Sequence, residues 1–262
     1  MIGSEKIAVV RGGGDLATGI IYRLWRIGFR VLCLEIQKPL VVRRTVSAAS
    51  AIFDGSITVD GMPVQRINAP NEMFSHDGVS IIVDPDALLV DMLKPFLLVD
   101  AIMAKRNMGT HMKMAPLVIG IGPGFVSNVD VHYVVETKRG HYLGRLISEG
   151  SAIPDTGVPG VQMGYSIERL LRAPCEGYIE HVKEIGDHVE TGDLIGKMGS
   201  EEIRAAIPGV LRGFIHPSVY VKKGMKIGDV DPRDAKEHCY SITDKALAIA
   251  GGVLEAVCRE IS

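Results

Sequence analysis

"IAVVRGGGDLATG", residues 7–19, is the stretch on which the fold turns. A short apolar run enters three consecutive glycines, and a carboxylate, Asp15, precedes an apolar pattern of helical period. Ile20, Leu24 and Ile27 recur on one helix face, and Gly28 stands where helices place a terminal glycine. "RVLCLEI", residues 30–36, follows as a second buried strand and carries Glu35 near its end. Gly12, Gly14 and Ala17 fit the pattern G-x-G-x-x-A, and Glu35 lies 18 residues beyond Ala17. That is close to the spacing at which an acid meets a ribose hydroxyl. On this reading Gly12, Gly13, Gly14, Asp15, Ala17 and Thr18 cradle the phosphates of NAD(P) or another nucleotide, with Glu35 at the ribose. A second reading stays open, in which Asp15 satisfies the helix amides that a phosphate would otherwise take.

Working outward, residues 42–55, "VRRTVSAASAIFDG", read as helical. Arg43 and Arg44 there suit a ribose 2′-phosphate or a solvated helix face. Further apolar runs at 79–84, 96–104, 116–126 and 131–138 read as buried strands, and Asp60-Gly61 marks a hairpin within 57–67. The pattern predicts a Rossmann-like parallel α/β sheet. Gly122 and Gly124 form a second glycine turn after a strand, on the edge where such sheets hold ligands. In "ETKRGHYLGR", 136–145, the donors Lys138, Arg139, His141 and Arg145 surround Gly140 and Gly144. This composition fits an anion site, because cations carry the charge and glycines let amides approach. A solvated loop has the same composition. The glycine- and proline-rich stretch 148–165 is either a linker or a substrate loop.

Composition narrows the function classes. In 262 residues, 47% are hydrophobic and 23% charged, which supports a packed core and excludes global disorder. A formal charge of −2 gives no electrostatic reason to expect nucleic acid or an anionic membrane as partner. No apolar run approaches the roughly 18 residues of a membrane span. The opening "MIGSEKIAVV" has no signal-peptide pattern. Cys33, Cys175, Cys239 and Cys258 are widely spaced without a C-x-x-C pair. A cytoplasmic setting, with neither a disulfide framework nor a metal site, is therefore expected.

The last third contains a repeat. At a constant offset of 32, Gly177 meets Gly209, Val189 meets Val221, Gly192 meets Gly224, and Ile195-Gly196 meets Ile227-Gly228. The duplicated pattern resembles the barrel-sandwich hybrid of biotinyl and lipoyl domains. The tip between the halves, Gly199 to Glu202, lacks the lysine those domains modify, and Lys197 lies on the flank. Ser241 with Asp244 reads as the capping box of a final helix. The expected domains are 1–165 (nucleotide- or cofactor-binding), 166–231 (barrel-sandwich hybrid) and 232–262 (C-terminal helix).

The segments 11–19, 35–55, 99–110, 119–125, 136–145 and 222–233 together resemble the YqeB-type accessory proteins of the selenium-dependent molybdenum hydroxylase system, related in their N-terminal half to XdhC/CoxI-type proteins. The resemblance implies a maturation role, with a molybdopterin-type cofactor as client ligand. Its implied partners are a molybdenum hydroxylase apoenzyme and a selenium or sulfur donor protein, and a homo-oligomer is expected. Cys239 is the candidate thiol for such a transfer, against the alternative of a small buried hydrophobe. A second function class, an NAD(P)-dependent oxidoreductase, uses the same glycine turn, with His141 as its candidate catalytic group.

Overall fold

The computed structural model describes residues 6–155, 157 and 160–261. The opening residues 1–5 of the N-terminal stretch, and residues 156, 158 and 159 of the 148–165 segment, lie outside the described residues. The chain divides into two units. The first comprises Met1–Gln37, Ser47–Thr156 and Ile242–Ser262; the second comprises Lys38–Val46 and Gly157–Ser241.

In the first unit, β1 (Ile7–Arg11) leads into α1 (Asp15–Arg26) and β2 (Arg30–Glu35). Next come α2 (Ala51–Asp54), β3 (Ser56–Val59), β4 (Met62–Arg66), β5 (Val79–Val83) and α3 (Leu89–Leu93). Then β6 (Leu97–Asp100), β7 (Leu117–Ile121), β8 (Tyr133–Val135) and β9 (Leu146–Ile147) complete the sheet. Its order is β3-β4-β5-β2-β1-β6-β7-β8-β9. Strands β4 to β8 in that order pair in parallel, while β3 and β9 pair antiparallel at the two edges.

This corrects the expected Rossmann-like parallel sheet: the sheet is large and mixed. Asp60 and Gly61 both take positive φ (46° and 78°), which closes a tight hairpin and adds an antiparallel edge strand. The expected helix over 42–55 is also absent. Instead 3-10 turns at Arg44–Val46 and Ala48–Ser50 precede the single turn of α2. Ser47 is extended between them, and the amides of Ala48 and Ala49 bond to Thr18 and Gly13 rather than along a helix.

Strand residues alternate between two cores, as the pleat requires. Ala8, Val10, Val31, Cys33 and Val99 face a core closed by Ile20 and Leu24 of α1 and, from the final helix α4 (Asp244–Ile261), by Ile249 and Val253. Val9, Leu32, Leu34, Leu98 and Val118 face the other core, covered by the short α3 and loops carrying Met73, Phe125 and Val131. Each fully buried aliphatic side chain contributes about 1.5–3 kcal/mol. The start of α4 is capped by Thr243, whose Oγ1 accepts the Ala246 N–H at 3.1 Å. The expected cap, Ser241, instead donates its hydroxyl to Glu237 O.

The second unit holds β10 (Leu170–Arg172), β11 (Glu180–His181), β12 (His188–Val189), β13 (Leu194–Met198), β14 (Glu201–Arg204), β15 (Gly209–Phe214) and β16 (Lys226–Asp231). They form a four-stranded sheet, β10-β16-β15-β12, and a three-stranded sheet, β11-β13-β14. The two repeat copies interlock reciprocally. Gly177 of the first bridges Val221 of the second, and Val189 of the first pairs with Gly209 of the second. Two separate antiparallel sheets replace the biotinyl/lipoyl-like barrel-sandwich hybrid expected from the repeat. Among the described residues, no helix is long and apolar enough to cross a membrane.

Candidate functional site

In the central sheet the chain turns one way from β1 to β2 and returns on the other side to β6, so β1 and β6 flank the switch point. The crevice outside the carboxyl ends of such strands is the ordinary ligand position. Here Arg11 at the end of β1 reaches Asp100 at the end of β6 at 3.3 Å, and both residues are buried. Thr110 joins them, accepting from Arg11 and donating to Asp100. A buried ion pair with its remaining donors satisfied specifies geometry more than it adds stability. The pair ties the loop after β6 across the switch point.

The glycine turn packs against the protein itself. The Gly12 amide donates to Leu34 O, and a Cβ at Gly12 would lie 3.0 Å from Ala101 O. The Gly13 amide donates to Glu35 Oε2 at 2.8 Å, and its carbonyl accepts the Ala49 N–H. Thr18 is fully buried, donating to Gly14 O and accepting from the Ala48 N–H. Glu35 therefore turns inward, with its second oxygen on the Ile36 amide. Burial pushes its carboxyl above the ordinary value, against the pull of these two amides. Ala17 is enclosed as well. What the turn leaves open is its far end. Gly14 is the N-cap of α1 and lends no side-chain cap, and the amides of Gly14 and Leu16 have no acceptor among the described residues.

Beside that helix start stands Lys245, in the first turn of α4. It is partly buried; desolvation and the charge of Arg139 lower its pKa, and Asp15, Glu136 and Asp155 raise it. Glu136 is buried and accepts the amides of Thr137, Lys138 and Ile153 at 2.7–2.8 Å. It pins the start of the 136–145 loop. Lys245, Glu136, Arg11, Asp100 and Thr110 carry no local sequence signal for a site, because each becomes significant only through a partner distant in the chain.

The other predicted site residues are dispersed. Arg43 and Arg44 belong to the second unit, where Arg43 donates to His238 O and Arg44 donates to Phe214 O. Arg139 pairs bidentately with Asp244 at 2.9 Å, and Lys138 and Gly140 are exposed. Gly144 admits α4, since a Cβ there would lie 2.4 Å from Ala248 O. His141 is exposed and meets Tyr142 edge-on at 5.0 Å. Gly122 packs against Thr137 and Gly124 against the Arg106 backbone. Cys239 is fully buried, and burial pushes its thiol upward, the reverse of what a transfer thiolate needs. Among the described residues, no group of three or more His, Cys, Asp or Glu side chains is placed to hold a metal ion.

No protein-family model matches the chain. It is 44% identical over 256 residues to the uncharacterized protein YqeB of Escherichia coli (strain K12), a match covering 97% of this chain. The chain spans about half the length of that curated relative, 47%. Among solved structures, the ectoine utilization protein EutE (DoeB) from Ruegeria pomeroyi matches with a TM-score of 0.26 at 14% identity, covering 86% of this chain and 85% of its own. An aspartoacylase family protein from Mesorhizobium loti matches with a TM-score of 0.27 at 12% identity, covering 86% and 84%. Scores this low describe shared elements rather than a shared fold.

These findings correct the expected identity. The curated relative is itself a YqeB protein, but it is described only as uncharacterized, and no family model supplies the expected XdhC/CoxI kinship or a molybdenum or selenium role. The maturation role falls with that kinship, and the enclosed Cys239 gives it no transfer thiol. The NAD(P)-dependent oxidoreductase falls too. A Cβ at Gly12 would lie 3.0 Å from Ala101 O and one at Gly13 2.8 Å from Ala49 N, so packing within the protein already accounts for both glycines.

Proposed function

We propose that the first unit binds a phosphate-bearing small molecule, with its anion at the start of α1. The observation that carries this reading is the uncapped helix start: Gly14 and Leu16 present amides without acceptors at the carboxyl edge of parallel strands. Such amides, with the positive end of the helix dipole, favour an anion. Lys245 supplies the countercharge for the ligand and for Asp15. The wide spacing of the four cysteines, without a C-x-x-C pair, supports a reducing, cytoplasmic setting.

Calorimetric titration with AMP, ATP, NAD and inorganic phosphate tests the reading. AMP or phosphate should bind, and Lys245→Ala should weaken binding about tenfold, the scale of one charge-assisted contact. Absence of binding by every ligand, or undiminished affinity in Lys245→Ala, would leave the turn purely structural.

A further inference from the structure

The second unit contains a separate cationic centre. Arg212 on β15 faces Asp231 at the end of β16, with Arg43, Arg233 and the turn residue His238 around them. Arg233 grips Asp231 with Nε at 3.0 Å and with its terminal nitrogen at 2.6 Å. Arg212 approaches the same carboxylate through one terminal nitrogen at 3.3 Å. The neighbouring carboxylate, Asp229, is taken by Arg169 through both its oxygens. Arg212 and Arg233 therefore share the Asp231 carboxylate.

The hydrogen-bond account does not close either. Arg212 Nε and His238 Nδ1 are buried and have no partner among the described residues. The Arg212 side chain is 11% exposed, and its Nε–Nη2 edge carries no hydrogen bond. A buried guanidinium edge without an acceptor is costly, and buried polar groups are ordinarily satisfied by protein, water or a bound ion. That edge is the planar fork that takes a carboxylate or a phosphate through two parallel bonds.

We propose that the second unit binds a compact oxyanion, a phosphate or carboxylate group, on the Nε–Nη2 edge of Arg212, between Arg43 and Arg233. The small exposure of Arg212 limits the ligand to a single oxyanion group, and Arg233, whose side chain is 32% exposed, lies on the open side.

The test uses the whole chain carrying Lys245→Ala, so that binding at the α1 start is separated from binding here. Phosphate, sulfate and acetate are titrated against chloride at matched ionic strength. Phosphate should bind with Lys245→Ala in place, and adding Arg212→Lys, which keeps the charge and loses the fork, should weaken it about tenfold. Should Arg212→Lys fail to fold by circular dichroism, Arg233→Gln decides, with a weakening of similar size expected. Binding of acetate as well as phosphate assigns the site to carboxylates and phosphates alike; binding of phosphate alone assigns it to phosphoryl groups. No binding beyond chloride, or affinity unchanged in both arginine variants, overturns the proposal. Loss of all phosphate binding through Lys245→Ala alone overturns it too, while leaving the α1 reading intact.

Discussion

Gly12 sits at a φ of +90°, immediately after the buried Arg11–Asp100 pair, with Ala101 against it. Any side chain there meets both a disfavoured backbone conformation and the backbone of the loop after β6. Gly12→Ala should cost about 1–3 kcal/mol, read as a lowered urea midpoint with an unchanged denaturant slope. Asp231 gives a pH test. Burial alone pushes its carboxyl up, but hydrogen bonds from the Arg233 side chain and amide, with the charges of Arg212 and Arg233, outweigh this and bring it down to about 2. A carboxylate with a depressed folded-state pKa contributes stability that is complete above its unfolded value, about 3.9. That contribution is lost as pH falls from about 4 toward 2. Asp231→Asn should flatten the acid limb of the stability profile in that window. An acid limb identical to that of the parent protein would show that Asp231 does not govern it.

Among the elements, the crossing of α1 on α4 is set by small residues. A Cβ at Gly19 would lie 2.7 Å from the Ala246 Cβ and 2.9 Å from the Ala246 carbonyl, so the helices meet there nearly backbone to backbone. Gly19→Leu should destabilise by about 1–3 kcal/mol through overpacking, and thermal unfolding would register it as a drop in Tm. Thr243→Ala, one residue before α4, should cost about 1 kcal/mol through loss of the cap. Ser241→Ala should cost less, because its hydroxyl bonds Glu237 O outside the helix. Equal losses in the two variants would reverse that assignment. The same small-residue packing explains Gly144 and Gly252, which press against each other's elements rather than toward a ligand.

At the scale of the molecule, the second unit depends on both copies of its repeat. β12 of the first copy has its partner, β15, in the second, and the Gly177–Val221 bridge runs the other way. A chain shortened by residues 205–231, so that α4 is kept, loses β15 and β16 and leaves Val189 and Leu171 without their cover. Hydrogen exchange on that truncated chain should show β11 to β14 unprotected while β1, β2 and β6 stay protected. Full protection of the remaining copy would mean that one repeat folds alone.

The central strands were legible because local chemistry sets them: unbroken apolar runs bury on both faces, and Asp60-Gly61 favours one tight turn. The repeat was legible because glycines at fixed offsets recur where two strands must turn. Three outcomes were decided only in three dimensions. Residues 42–55 carry helical spacing, yet their amides found better acceptors in Thr18 and Gly13, partners some 30 residues away. The glycine fingerprint has the right letters for a pyrophosphate, but its first two glycines also pack against Ala101 and Ala49, which arrive from distant loops. Lys245 and Arg212 look like surface cations in the sequence, and folding encloses them beside charges that no spacing rule connects. Periodicity and turn chemistry are properties of neighbours along the chain. Site electrostatics belong to neighbours in space, so they exist only once the chain has closed.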